Sequence, residues 1–135
     1  MKFEEYIAKG DVRKGERDTQ KAAAMIKMSE RSLATAAQIE INDTTASIIF
    51  TISYDALREI LEAMCLMQGY KVYSHEAYTA YLESLHEEKI AVQFDRLRKL
   101  RNGVNYYGKP VLTEVAKSAK EQCRQLCQEL KEKYL

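Results

Sequence analysis

Residues 45–68 constrain the fold more than any other part of the chain. Ile48, Ile49, Phe50, Ile52, Leu57, Ile60, Leu61, Met64, Leu66 and Met67 fall around most of the circumference of a helix, and a helix apolar on nearly every side belongs at the centre of its domain. The β-branched opening IIFTI would also suit a strand, but no second alternating apolar run is present to pair with it. A membrane span does not fit, because Asp55, Arg58, Glu59 and Glu62 interrupt the run.

A central helix needs neighbours that each offer one apolar face, and the flanking sequence supplies them. The segment KAAAMIKMSERSLATAAQIE is rich in helix formers and predicts a helix over 19–40, with Met25, Met28, Leu33, Ala36 and Ile39 recurring every three to five residues. Asn42 and Asp43 suit the turn or cap between the two helices. After Gly69, Ser74 is a plausible cap for a third helix over 75–85, with Ala77, Tyr78, Tyr81 and Leu82 inward. A fourth spans 87–106 and is stopped by Gly108-Lys109-Pro110. A fifth spans 112–133, with Val115, Ala119, Leu126 and Leu130 on one side. Before all of these, residues 3–9 suit a short helix ended by Gly10 and the charged stretch 11–18, a segment expected on the surface.

Short links between long helices favour antiparallel neighbours, so the expected fold is all-α, an up-and-down bundle of about four long helices plus a short one. At 135 residues the chain fits a single domain, 1–135, large enough to bury a core without disulfides or a structural metal. One proline and five glycines among 46% hydrophobic and 30% charged residues agree with long helices in a globular protein. The opening MKFEE is too charged for the apolar part of a signal peptide. Cys65, Cys123 and Cys127 form an odd set, which points to reduced thiols and a cytoplasmic protein. Cys123 and Cys127, four apart, lack the third and fourth ligands of a metal site, so no metal or cofactor is expected.

A formal net charge of +1 gives no global pull toward nucleic acid, so any such binding must rest on a local patch. The densest polar cluster is DRLRKLRNGVNYYG at 95–108. At about 100° per residue, setting Arg101 at zero places Phe94 near +20°, Ile90 near −20°, Leu97 near −40° and Val104 near −60°. The arginine therefore lies inside the apolar stripe of its own helix. Asn105, Arg98, Asn102 and Tyr106 fan out on one flank at about +40°, +60°, +100° and +140°. A guanidinium beside a core stripe must be paired or face a shared cleft, because an unpaired buried charge is very costly. Asp55 or Glu62 on the central helix would serve as its partner, and Asp55 and Glu59 read as ion-pair partners for Arg58 or Arg101 rather than as an acid–base couple.

The segments SYDALREILEAMCLMQGYKVYSHEAYTAYL and RLRKLRNGVNYYG resemble the HEPN family, particularly its compact prokaryotic members, over roughly residues 19–108. Many HEPN proteins are metal-independent ribonucleases with a signature of arginine, a polar residue and then histidine, written R-x4-6-H. Arg101 and Asn102 match its first two positions, while Tyr106 and Tyr107 stand where the histidine would fall. The only histidines, His75 and His86, lie outside the motif. Histidine titrates near neutrality, whereas a phenol with a pKa of about 10 needs strong help to act as acid or base.

The resemblance therefore implies a homodimer with a cleft shared between signature helices, and an RNA- or nucleotide-associated protein without the usual ribonuclease chemistry. Arg101 would grip phosphate through its planar donors, Asn102 would orient it, and Tyr106 or Tyr107 would stack or hydrogen-bond. Arg98 and Asn105 would complete the ligand-binding set. Two alternatives follow from the same resemblance: a metal-independent endoribonuclease toxin of a toxin–antitoxin pair in which Tyr106 or another group substitutes for the histidine, and a non-catalytic module that pairs with a minimal nucleotidyltransferase.

Arg96, Arg98, Lys99, Arg101 and Lys109 form a local basic region suited either to a phosphate backbone or to solvent. Tyr70, Tyr73, Tyr78, Tyr81, Tyr106 and Tyr107 are either stacking platforms or residues at the rim of the core with hydroxyls in water.

Overall fold

The central segment forms α3 (Ala46–Met67), the longest-buried element of a computed structural model that describes residues 1–135. Phe50, Tyr54, Leu57, Ile60 and Leu61 have no exposed surface at all. Around it the chain adds α1 (Phe3–Lys9), β1 (Val12–Lys14), α2 (Thr19–Gln38), β2 (Tyr70–Val72), α4 (Glu76–Ser84), α5 (Glu88–Tyr107) and α6 (Thr113–Tyr134). The architecture is an all-α helical bundle with four long and two short helices. α2 and α6 are the main neighbours of α3, while α5 packs chiefly on α4. No helix is long and apolar enough to cross a membrane.

The contact between α2 and α3 runs along a line of small residues, with Met25, Ile26 and Leu33 packed beside it. Ala22, Ser29 and Ala36, each seven residues apart, are the buried positions of α2, while Met28 is 43% exposed. Seven residues are nearly two helical turns, so these three lie on one line and let the backbones approach. The Ser29 hydroxyl consequently reaches the Ala56 carbonyl at 2.8 Å. Asn42 organises the following turn, its side-chain oxygen accepting from the amides of Thr44 and Thr45 at 2.9 and 3.1 Å.

The N-terminal region departs from expectation. Phe3 and Tyr6 of α1 and Val12 of β1 are buried rather than on the surface. Phe3 packs edge-on against Tyr70 at 5.0 Å and tilts against Tyr81 at 5.2 Å. β1 and β2 form an antiparallel ladder with Val12 opposite Val72, Arg13 opposite Lys71 and Lys14 opposite Tyr70. Three residues per strand are too few for a period of two to stand out in sequence. Gly69 makes the ladder possible: its φ is +83°, and a Cβ there would lie 2.3 Å from the Gly15 carbonyl oxygen.

At the start of α4 the capping position is His75 rather than Ser74, and it makes no side-chain cap bond. Tyr78 and Tyr81 are buried outright, not at the rim. In α5 the buried residues are Ile90, Ala91, Phe94 and Leu97, and none follows Leu97. Gly108, at φ +61°, ends the helix. α6 is clipped at both ends: Thr113 donates to Asp43 at 2.8 Å, and the Tyr134 hydroxyl donates to Glu87 at 2.8 Å, beside a Lys133–Glu87 ion pair.

Candidate functional site

Phe94 and Leu97 pull the inner face of α5 onto the core, and the same face then carries Arg101 to the side of α3. Its Nη2 lies 3.9 Å from an Asp55 carboxylate oxygen, so Asp55 rather than Glu62 is the facing acid. That separation allows Coulomb attraction but is too long for a hydrogen bond. Arg101 Nε and Nη1 are buried with no hydrogen-bond partner, although the side chain as a whole keeps 19% of its surface. A guanidinium with two nitrogens unpartnered in a partly buried position carries a desolvation cost that attraction to Asp55 offsets in part.

The other cations nearby are better satisfied. Arg98 gives Nε and Nη2 to Asp95 at 3.1 and 2.8 Å, and Lys99 reaches the other oxygen at 3.1 Å. Burial opposes ionisation of Asp95, but the hydrogen bonds from Arg98, Lys99 and Thr79 outweigh it and hold the carboxyl below its usual range. Arg58 pairs with Glu62 at 3.7 Å. Glu59 turns the other way, toward α2, where Ser32 donates to it at 3.2 Å, so it partners neither arginine. Burial raises the pKa of that carboxyl.

His75 is the residue that sequence reasoning set aside and that the fold returns to this cluster. Its Nδ1 lies 3.1 Å from the hydroxyl of Tyr54, which is fully buried and stacks on Phe94 at 5.7 Å. Although His75 as a residue is open to water, its ring packs near Tyr54 and Tyr78. Lost hydration, followed by the charges of Arg58, Arg101 and Arg98, pulls its pKa down to about 4. Burial holds the Tyr54 phenol protonated through the whole neutral range. In the arrangement where Tyr54 donates to Nδ1, the ring hydrogen sits on Nε2 and is free to donate outward.

The chain matches no protein-family model, no curated protein and no solved structure. What the site can do must therefore be read from its own geometry.

The remaining candidate residues lie farther along α5. Asn102 is half-buried, and Asn105 is exposed. Tyr106 and Tyr107 are 76% and 75% exposed, and only Tyr107 has a neighbouring cation, Lys109, with Nζ 5.8 Å from its ring centre. On the opposite flank of α5 a recess of about 480 Å³ opens toward α6, lined by Leu100, Val104, Val111 and Leu112 with Arg96, Lys99 and Lys109 at its rim. Arg96 is also bonded to Gln122 at 3.3 Å.

The structure thus pairs Arg101 with Asp55, brings Tyr54 and His75 together beside that acid, and leaves Tyr106 and Tyr107 in solvent. Arg58 was visible in sequence as one helical turn from Asp55. The approach of His75 depends on the β2–α4 link running back beside α3, which no local pattern reveals. Cys65, Cys123 and Cys127 are buried with their thiol pKa values raised by burial, so none is a nucleophile. No three His, Cys, Asp or Glu side chains come together as a metal-binding group.

Proposed function

We propose that this chain is a HEPN-like protein that binds the phosphate of RNA or a nucleotide at Arg101, and that it acts by binding rather than by cutting. The observation that carries the reading is the pair of buried, unpartnered donors on Arg101. A phosphate oxygen satisfies such donors, and guanidinium geometry suits it. Arg58, Arg98 and Arg101 all act on His75 through their charges, so the three cations share one neighbourhood and add to the attraction.

The electrostatics argue against general acid–base chemistry. A histidine held near pKa 4 is neutral at pH 7, so it has no proton to give as an acid and is a weak base. Tyr54 is locked in its protonated form, and Tyr106 stands in solvent without a group to activate it. In this reading two copies pair across the end of α5, so that the Arg101 side chains share one cleft, and the reduced thiols belong to a cytoplasmic setting.

The test is equilibrium binding of a labelled nucleoside diphosphate and a single-stranded RNA oligomer at low salt, with Arg101→Ala as the control. The variant is expected to lose at least tenfold in affinity for both, and intact RNA should be recovered after incubation without metal. Unchanged affinity in the variant would remove Arg101 as the site. RNA cleavage by the wild-type chain, lost on Arg101→Ala, would replace binding with an endoribonuclease.

A further inference from the structure

The two-stranded ladder carries a second cationic surface that neither the core nor the Arg101 site uses. Arg13 and Lys71 are directly opposed across β1 and β2, so their side chains leave the same outer face. Like charges placed opposite one another weaken a ladder. Both converge on the same aromatic ring: Arg13 Cζ and Lys71 Nζ lie 5.5 and 5.9 Å from the centre of Tyr73, which is 54% exposed. A recess of about 320 Å³ alongside adds Lys14 and Lys21, so four cations meet only Glu16 and Asp18 on its wall. The ion pairs of the fold leave all four cations out. In a chain whose formal net charge is only +1, this is a local excess.

An exposed aromatic ring framed by unpaired cations is the combination that holds single-stranded nucleic acid: the ring stacks on an unpaired base and the cations hold the flanking phosphates. A lipid surface fits less well, because the aromatic side chain set between Arg13 and Lys71, Tyr73, ends in a hydroxyl and offers little to insert. The chain then runs from Tyr73 through Ser74 to His75, whose Nδ1 lies 3.1 Å from the Tyr54 hydroxyl, one residue from the Asp55 that faces Arg101. Two residues of extended chain span at most about 7 Å, so the surfaces are neighbours.

We infer that the outer face of the β1–β2 ladder is a binding surface for single-stranded nucleic acid, with Tyr73 stacking on a base and Arg13 and Lys71 on adjacent phosphates. The direction of the strand, onward past His75 to Arg101, rests on the proposed phosphate-binding role of Arg101. An oligomer that reaches both surfaces then binds more tightly than a mononucleotide held at Arg101 alone.

The experiment measures anisotropy of a labelled 12-residue oligouridylate and of a labelled diuridylate on the full chain, over a salt series. The probe lengths, about 12 and 2 residues, separate a track from a single pocket. Tyr73→Ala is expected to weaken the long probe by about tenfold and to leave the short one unchanged, while Tyr73→Phe keeps wild-type affinity. Arg13→Gln with Lys71→Gln should lower the salt slope for the long probe by about 1.4, the value for two lost phosphate contacts. These positions are exposed or at the rim, and thermal melts of the variants confirm that the fold is kept. If the ladder variants bind the long probe as wild type does while Arg101→Ala does not, the ladder surface is overturned and the Arg101 reading stands. If Arg101→Ala binds as wild type while the ladder variants fail, the ladder surface stands and the route past His75 falls. Binding of anionic phospholipid vesicles, lost in the ladder variants without any binding of the oligomer, overturns the inference in favour of a membrane.

Discussion

The Tyr54 hydroxyl lies 3.1 Å from His75 Nδ1, and this bond joins the middle of the central helix to the residue that opens α4. It also fixes a histidine within the field of three arginines, with consequences for stability against pH. The ordinary value of 6.5 applies to the unfolded chain, and about 4 applies to the folded one. As pH falls below about 6.5 the unfolded chain takes up a proton that the folded chain refuses, so stability declines until about pH 4 and then levels. His75→Gln keeps an acceptor for Tyr54 but cannot titrate. Thermal melts from pH 8 to pH 4 should show a shallower acid decline in the variant, and parallel curves would contradict the assignment.

Glu59 has the opposite sign. Its folded pKa is raised by burial, so the stability it contributes is complete below the ordinary carboxylate value of 4.5 and is lost as pH rises through the folded value. Glu59→Gln retains the acceptor for Ser32 and removes the charge. The melting temperature should rise at pH 8 and stay unchanged at pH 4. A variant less stable at pH 8 would mean that Arg58 and Ser32 compensate the buried charge.

Arg101 should be a residue that the fold would be more stable without. Replacing it by Met keeps an unbranched side chain in the partly buried position and removes two unsatisfied buried nitrogens. We expect Arg101→Met to gain about 1 kcal/mol in urea-unfolding free energy while abolishing nucleotide binding. A loss of stability would show that the 3.9 Å pairing with Asp55 contributes more than the orphaned donors cost.

The α2–α3 seam tests the packing argument. Ala36 has no exposed surface and sits on the same line as Ala22 and Ser29. Ala36→Leu forces the helices apart and is expected to cost about 1–3 kcal/mol. Met28→Leu, at an exposed position of the same helix, should change stability by less than about 0.5 kcal/mol. Both are read from denaturant midpoints.

The contrast between Ala36 and Met28 also shows where sequence was and was not informative. Helix existence followed from long periodic segments, and the α5 boundaries, Glu88–Tyr107, fall within one residue of the expected 87–106. The inward face of α2 followed in part: Ala36 is buried and Met25 and Leu33 pack against the core, whereas Met28 is exposed, and Ala22 and Ser29 carry too little hydrophobicity to stand out in a sequence pattern. At the site, placing Arg101 on the core stripe of its own helix identified Asp55 as one of two possible partners, since one helix determines that angle. His75 escaped notice because its approach to Arg101 is a tertiary fact, set by the β1–β2 ladder and the link after it. The ladder was itself invisible, with only three residues in each strand.

Leu97 is the last residue of α5 sealed into the core, and the helix continues to Tyr107. Val104 still packs partly against the core, so only the last turn, 105–107, stands clear of it. Tyr106 and Tyr107 are therefore aimed by the run of the helix backbone rather than by side-chain packing.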